Sequence, residues 1–294
     1  MGYTWTSPAP ETVMSPAGER RVTVIRPPAL FRYSLIRNLI ELIHYRDLLL
    51  TMTVHRIKVR YKQSLLGVSW AILQPVSMML VFTAVFSLIA RMPGSEVPYA
   101  IFAYAALLPW NAFSGSVSGA TAGLVGHSQL ITKVYFPREI LPITYVLAAL
   151  FDSLVASSVL AGLMAYYSVA LSMKALWAIP IFAVLICFSL SMSLFLSATQ
   201  VRFRDIGIAM PLLLQLWMFA TPVLYPLSAV PLRFRDVYTL NPLVSIVESF
   251  RQAILYARTP DLILLARSAI ISITFLIVSY LYFKRIEATM ADTI

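Results

Sequence analysis

Charged residues are scarce in this 294-residue sequence, where Asp, Glu, Lys and Arg together account for only 12% of the positions. Soluble domains carry roughly 25% charged residues, so the composition does not favour an ordinary soluble enzyme. Cysteine is nearly absent: Cys187 is the single one, which excludes an intramolecular disulfide and a multi-cysteine metal site. Apolar residues, in contrast, make up 59% of the chain, which excludes a disordered, collagen-like or disulfide-framework protein.

Catalytic signatures are also missing from the sequence. No lysine follows a glycine, so the chain has no phosphate-binding G-x-x-x-x-G-K-[ST] loop. It contains neither H-E-x-x-H nor G-x-S-x-G. His44, His55 and His127 are far apart in the sequence, which favours solvated imidazoles over metal ligands. We therefore predict that the chain is not itself an enzyme and binds no cofactor or metal.

Long charge-poor runs are the main positive signal. A membrane-spanning helix needs about 20 mostly apolar residues, because the hydrocarbon core is about 30 Å thick. Residues 66–90 contain no charged residue, and five further runs are comparable. The sequence therefore predicts an all-α polytopic membrane protein with six transmembrane helices. Their predicted bounds are about 66–90, 97–126, 140–170, 175–201, 206–224 and 262–283.

The distribution of positive charge predicts the orientation. The net charge is +10, and ten of the 23 Lys and Arg residues precede residue 63. Cytoplasmic segments are enriched in Lys and Arg, so both termini are predicted to be cytoplasmic. The basic residues are spread over one membrane face without a nucleic-acid-binding signature, so no nucleic-acid partner is expected. Four arginines on the outer side depart from this trend: Arg233, Arg235, Arg251 and Arg258.

The segment before the first predicted span divides in two. Residues 1–30 contain five prolines and no apolar period, which predicts a mostly irregular cytoplasmic tail. In residues 31–65, four apolar side chains from Val54 to Leu65 share one helical face among basic residues. Residues 56–62 also alternate as a strand would, but a lone strand is unfavourable at a membrane surface. We therefore predict amphipathic interface helices over 31–65, in contact with membrane lipids.

The region before the last predicted span is unusual. Residues 220–258 contain several prolines and apolar stretches that are too short to span, which is typical of re-entrant helices. We predict two short ones. Asn241–Pro242 predicts the start of the second, because proline is favoured in the first turn of a helix. Residues 286–294 are predicted to form a cytoplasmic C-terminus.

Two charged residues, Asp152 and Arg267, fall within predicted spans. Charged groups are costly in lipid, so they point to function by default. The structural alternatives are an ion pair between the two residues, or an Arg267 that reaches the membrane interface. For Asp152 a polar packing contact is favoured over a transport role, because a proton-coupled carrier usually has a relay of such groups.

Two cytoplasmic connections are candidates for contact with partners. Residues 127–139 form a short amphipathic loop, which suits docking of a cytoplasmic partner; a solvated connector is the alternative. Arg202 and Arg204 lie in a very tight connection, where they are suited to lipid phosphates or to an anionic substrate head group.

Several short motifs occur in the order found in a known family. They are residues 56–75 (RIKVRYKQSLLGVSWAILQP), 133–142 (KVYFPREILP), 202–206 (RFRDI), 221–226 (TPVLYP), 240–243 (LNPL) and 248–251 (ESFR). With them the chain resembles the membrane subunit of ABC-2 type polysaccharide exporters, which export O-antigen, capsule or teichoic acid. The likeness covers about residues 33–285 and implies a transmembrane domain over 66–285 in a bacterial cytoplasmic (inner) membrane.

The resemblance also implies partners and site residues. The permease would be a homodimer that binds two separate ABC ATPase subunits, which hold ATP and Mg, and its substrate would be a lipid-linked polysaccharide. Residues 127–139 would be the coupling loop. Its ATPase-coupling residues would be Gln129, Leu130, Lys133, Tyr135, Phe136, Arg138 and Glu139. The substrate would enter near Arg202, Arg204, Asp205, Arg60 and Lys62. Candidates for lining the channel are Trp110, Phe113, Trp217, Phe219 and Tyr225, with burial in the bundle as the alternative for most of them.

The sequence thus predicts the permease subunit of an ATP-driven exporter of lipid-linked polysaccharide. Two alternatives stay open at this point. One is an ion-coupled secondary transporter that uses Asp152, and the other is a membrane scaffold for glycan synthesis that does not transport.

Overall fold

The computed structural model describes residues 12–13, 22–23, 42–62, 64–89, 97–134, 136–287 and 289–290. The chain divides into two compact units, Met1–Ile40 and Glu41–Ile294. In the first unit, strands β1 (Thr12–Val13) and β2 (Val22–Thr23) pair in antiparallel orientation. The remaining predictions for the tail, for residues 31–41, for Tyr135 and for residues 291–294 lie outside the described residues.

The second unit is helical throughout its described part. Its helices are α1 (Arg46–Lys62), α2 (Trp70–Thr83), α3 (Tyr99–Gly126), α4 (Ser128–Lys133), α5 (Ile140–Tyr166), α6 (Ala178–Arg202), α7 (Asp205–Phe219), α8 (Leu232–Tyr238), α9 (Pro242–Ile254) and α10 (Leu262–Glu287). Single 3-10 turns precede α2, α6 and α8, at Gly67–Ser69, Met173–Trp177 and Leu227–Ala229. A π-helical segment, Ala84–Ile89, extends α2.

Five helical stretches in the described part of the chain are long and apolar enough to cross a membrane. They are Gly67–Phe86, Tyr99–Gly126, Ile140–Tyr166, Met173–Arg202 and Leu262–Glu287. The predicted helical membrane fold is confirmed to this extent: five predicted spans coincide with long apolar helices.

The predicted span at about 206–224 corresponds to a shorter helix, because α7 has 15 residues. At 1.5 Å per residue it is about 22 Å long, less than the roughly 30 Å hydrocarbon core. The chain turns after Phe219: the backbone N–H of Val223 donates to the carbonyl of Thr221 over 2.7 Å. The absence of charge across this region gave no indication of the turn.

Helix α3 lies at the centre of the bundle. In its most apolar window 78% of the residues are buried, against 11% for the stretch that contains α2. It packs mainly against α5 and α6, and also against α2 and α9. The ring of Tyr145 on α5 lies directly on Gly119 and Gly123, and a Cβ at either glycine would overlap the ring. Small residues on α3 therefore allow a close helix–helix approach.

Two further contacts complete the bundle. Helix α10 packs along α6, where both helices carry fully buried serines, including Ser193 and Ser272. Helix α1 packs against α5. Helices α2 and α7 expose many apolar side chains, of which Leu80 (59% exposed) and Leu216 (57% exposed) are examples.

Candidate functional site

The loop over 127–139 contains one short helix, α4. The imidazole Nδ1 of His127 lies 2.8 Å from the carbonyl of Gly123 at the end of α3. Side chains in the loop divide by exposure. Gln129 and Lys133 are exposed and Leu130 is half-buried, whereas Phe136 and Glu139 are buried. Among the described residues of the loop, the α4 part and Val134 after it therefore offer exposed side chains to a partner.

The end of this loop is bound to the end of α10. The Lys284 ammonium lies 2.9 Å from the Glu139 carboxylate and 2.8 Å from the Glu287 carboxylate. Arg138 donates from its guanidinium to the backbone carbonyl of Glu287 over 2.6 Å, and from its backbone N–H to the Glu287 carboxylate over 3.2 Å. Tyr280 donates to Glu139 over 3.4 Å. We call Arg138, Glu139, Lys284 and Glu287 the loop–α10 network.

Burial dominates the electrostatics of Glu139. Its removal from solvent raises the pKa of this carboxyl, and the nearby Glu287 carboxylate raises it further. The Lys284 ammonium acts in the opposite direction. The net shift of the Glu139 pKa is upward, because the side chain is only 2% exposed.

A second site lies where α1 meets α5. The guanidinium of Arg60 and the hydroxyl of Tyr61 both donate to the carboxylate of Asp152, one to each oxygen. Burial raises the pKa of Tyr61, and the hydrogen bond to Asp152 adds to this, so the phenol stays a donor. One turn earlier, the Arg56 guanidinium lies 3.3 Å from the centre of the Tyr145 ring. Helix α1 is therefore attached to α5 by two polar contacts.

These contacts decide between the structural alternatives for the two charges in predicted spans. Asp152 pairs with Arg60 and not with Arg267, so the ion pair considered between them is wrong. Arg267 donates instead to the Thr239 hydroxyl over 3.1 Å and to the Asp236 carbonyl over 3.4 Å.

Asp152 borders a polar cavity of about 230 Å³ between α1, α2, α3 and α5. Polar groups in its wall come from Arg60, Tyr61, Gln74, Asn111, Ser114, Asp152 and Ser153, and Trp70 adds an indole ring. Lys62, which the resemblance places with Arg60 at the substrate entry, is exposed at the end of α1.

The tight connection between α6 and α7 exposes all three predicted residues, Arg202, Arg204 and Asp205. The Gln200 side chain donates to the Arg204 carbonyl over 3.1 Å and fixes the turn. Asp205 lies in the first turn of α7, where a carboxylate is favourable because of the helix dipole. No ion pair joins this turn to Arg60 in the part of the chain that the structure describes.

The predicted aromatic residues separate into two groups. Trp110 and Phe113 are buried inside the chain; the Phe113 ring stacks on Phe188 at 5.3 Å and meets Trp217 edge-on at 5.1 Å. Trp217 also lines an open apolar groove with Phe234 and Tyr238, and Phe219 is 51% exposed. The Tyr225 hydroxyl donates to the Phe219 carbonyl over 2.7 Å. Trp110 and Phe113 thus belong to the core of the chain, whereas Trp217 and Phe219 lie at its surface.

The region between α7 and α10 is stabilised by the fully buried Arg251. Its guanidinium donates to the carbonyls of Phe102 (3.2 Å), Pro222 (2.6 Å) and Val223 (2.6 Å), and lies 3.6 Å from the centre of the Phe102 ring. Helix α9 begins at Pro242 as the sequence predicted, and the Asn241 side chain accepts a hydrogen bond from the Leu243 N–H over 3.2 Å. Arg251 therefore stabilises the turn that follows α7.

A comparison with known proteins identifies the family. The sequence profile of the ABC-2 type transporter family matches residues 47–255, more than half of the chain. The chain belongs to the ABC-2 type transporter family. It is a multi-pass membrane permease of an ABC exporter, and the ATPase is a separate subunit in such systems.

Three O-antigen export permeases are similar to this ABC-2 permease. The O-antigen export system permease protein RfbA of Myxococcus xanthus is 34% identical over 187 residues, which cover 62% of this chain and 70% of the relative. Two proteins of the same name from Klebsiella pneumoniae are 30% and 29% identical over 162 residues. Each of these alignments covers 54% of this chain and 61% of the relative.

Sequence reasoning missed several residues that organise the ABC-2 permease. The sequence did not single out three of them, Tyr145, Lys284 and Glu287. It also gave no indication that Arg251 binds backbone carbonyls. Gly119 and Gly123 gave a usable signal for Tyr145, because two glycines one turn apart permit a large ring to lie on a helix. Phe102 is 149 residues from Arg251, and Lys284 is 145 residues from Glu139, so local patterns give no indication of these two contacts.

Proposed function

We propose that this ABC-2 permease exports a lipid-linked polysaccharide across the bacterial cytoplasmic membrane, driven by ATP hydrolysis in its partner subunits. The observation that carries this proposal is the match to the ABC-2 family over 47–255. Relatives named as O-antigen export permeases support the glycan substrate. The functional unit is a homodimer with two ATPase subunits.

In this proposal α4 is the part of the coupling loop that contacts the ATPase. The exposure of Gln129 and Lys133 supports such a contact. Glu139 and Phe136 are buried, so we assign them to transmission inside the permease. A push on α4 would reach α10 through Arg138, which is bonded to Glu287.

The lipid-linked glycan enters from the cytoplasmic side near Arg202, Arg204 and Asp205. The exposure of these residues supports contact with a phosphate-containing head group. Arg60 has a weaker claim to phosphate contact than the sequence suggested, because Asp152 already neutralises part of its charge.

The proposed topology has six spans and cytoplasmic termini. Helix α7 and the following turn at 220–224 provide the fifth span, and α8 and α9 form the re-entrant region at the outer mouth. A second copy of the chain would cover part of the exposed apolar surface of α2 and α7. Trp217, Phe219 and Tyr225 are placed along the glycan path, where an aromatic ring stacks on the apolar face of a sugar.

Two cellular observations test this function. Depletion of the permease should leave the glycan on the cytoplasmic side of the membrane, and the tagged permease should co-purify with an ABC ATPase. Accumulation without an ATPase partner, with transport abolished by Asp152→Asn, would indicate the ion-coupled carrier instead. Loss of glycan synthesis, with no accumulation on either side, would indicate the scaffold.

A further inference from the structure

The cavity beside Asp152 is lined by no described residue of the coupling loop and by neither Arg202 nor Arg204. It lies where the end of α1 meets the start of α2. Arg60 and Tyr61, near the end of α1, donate hydrogen bonds to Asp152 there. Asp152 lies 12 residues beyond Ile140, about 18 Å along α5 from the coupling loop. Trp70 in its wall is 52% exposed, so the cavity opens onto the surface of the chain.

The chemistry of the wall is that of a site for a polyhydroxyl ring. Asp152 accepts hydrogen bonds from two protein donors that face the cavity. The side-chain amides of Gln74 and Asn111 make no hydrogen bond to the described residues and can each donate and accept. Ser114 and Ser153 add hydroxyls, and the Trp70 indole offers a flat apolar face.

Size and charge narrow the class of ligand. A volume of about 230 Å³ is below the roughly 300–1,000 Å³ of sites for drug-sized ligands, so it holds one ring and not a chain of rings. Arg60 and Asp152 balance each other in charge, which favours a neutral ligand over a free phosphate. Gln74 is exposed and Asn111 is half-buried, so both side-chain amides are open to a hydrogen-bonding occupant of the cavity.

We propose that this cavity binds one neutral sugar ring of the lipid-linked glycan, next to its lipid anchor, before the glycan enters the channel. The inference rests on the proposed export function and names a separate recognition site for the same substrate. Hydroxyls of the sugar would bond to Gln74, Asn111 and Asp152, while the ring would stack on Trp70. The site would select substrates by their first sugars, upstream of the aromatic residues around Trp217.

Photo-crosslinking in cells that make the glycan tests this directly. A p-benzoylphenylalanine residue replaces Trp70 in one variant and Leu80 in the control, since Leu80 is also exposed on α2 but does not line the cavity. We expect a glycan-bearing adduct from position 70 and a phospholipid adduct from position 80. A phospholipid adduct alone at position 70, or no glycan adduct there while export continues, would overturn the proposal.

A second variant tests the proposal if the variant at position 70 does not fold or does not export. Asn111→Leu has a similar size and breaks no hydrogen bond to the described residues, so the fold should tolerate it. In proteoliposomes with the ATPase, it should raise the concentration of lipid-linked glycan for half-maximal export about tenfold, with an unchanged maximal rate. Ser158→Ala, exposed elsewhere on α5, is the control. An unchanged half-maximal concentration overturns the sugar site, whereas absence of export by the wild-type complex overturns the proposed function.

Discussion

The ammonium group of Lys284, near the end of the last helix, lies 2.9 Å from the carboxylate of Glu139, the last residue of the loop before α5. Glu139 is 2% exposed, so the pair is shielded from solvent on one side. It joins the proposed ATPase-docking segment to α10, a helix that the family match over 47–255 does not include. The loop therefore contacts the helix bundle through α10 as well as through α5, which directly follows it in the chain.

Lys284→Met should destabilise the permease by about 3–5 kcal/mol, because it leaves Glu139 buried without its cation. The double variant Lys284→Met with Glu139→Gln should recover a large part of this loss, since no buried charge is then left unpaired. The midpoint of thermal unfolding in detergent is the measurement. Equal losses for the single and the double variant would contradict the pairing.

The raised pKa of Glu139 predicts a dependence of stability on pH. The folded chain keeps this proton to a higher pH than the unfolded chain, whose Glu pKa is about 4.3. Between the two pKa values the folded state binds more protons, so stability falls as pH rises through that window. Thermal midpoints of the wild type should therefore decrease from pH 4 upwards relative to those of Glu139→Gln. Parallel curves for the two proteins would argue against a raised pKa.

The contact between Arg56 and Tyr145 should hold α1 against α5. Arg56→Ala removes a cation–π contact worth about 0.5–2 kcal/mol, so the amides of α1 should exchange hydrogen faster. Hydrogen exchange read by mass spectrometry over 46–62 measures this. Arg46→Ala is the matched control, because the Arg46 side chain is 75% exposed and pairs only with the neighbouring Asp47 among the described residues. A similar acceleration in both variants would show that the Tyr145 contact is not responsible.

The helical part of the fold followed closely from the sequence. The predicted span over 97–126 matches α3 (Tyr99–Gly126), and the last span begins at Leu262 as predicted. Charge-poor runs predict membrane-spanning helices because lipid excludes charged residues. This signal does not depend on which neighbours a helix contacts. The Asn241–Pro242 start of α9 was also predictable, because a helix cap is a local interaction.

The candidate site was less predictable because its contacts are distant in sequence. Asp152 stood out as a charge in a predicted span, but its partner Arg60 is 92 residues earlier. Helix α7 ends early because Arg251, a residue of α9, binds the carbonyls of Pro222 and Val223 in the turn that follows α7. Sequence placed Phe136 and Glu139 in the coupling loop but gave no indication that both are buried.

Arg251 should be essential for the stability of the region between α7 and α10. Arg251→Met leaves the carbonyls of Phe102, Pro222 and Val223 without this donor, and each charged hydrogen bond contributes about 1.5–3 kcal/mol. Arg251→Lys should also be unstable, because one ammonium does not reproduce the planar fork of donors. Arg233→Ala, at an exposed position, is the control. The yield of folded protein and its thermal midpoint should fall for both Arg251 variants only; a stable Arg251→Lys protein would contradict the multidentate contact.

Lys133 should act in docking and not in folding. Lys133→Glu reverses an exposed charge on α4, so it should weaken binding of the ATPase by about tenfold, or 1.4 kcal/mol, without lowering the thermal midpoint. Lys174→Glu, in the loop between α5 and α6 at the opposite end of these helices, should leave binding unchanged. Affinity for the purified ATPase in detergent measures the difference. Equal affinities for the two variants would remove α4 from the docking surface.

ATP-driven export by the purified complex is the most direct test of the account. Permease and ATPase are reconstituted in proteoliposomes with lipid-linked glycan on the ATPase side, and luminal glycan is measured with ATP and with an ATPase variant that binds ATP without hydrolysing it. We predict luminal glycan only with hydrolysis, and unchanged export when ion gradients are collapsed by ionophores. Export that persists without hydrolysis, or that stops when the gradients collapse, would contradict an ATP-driven exporter.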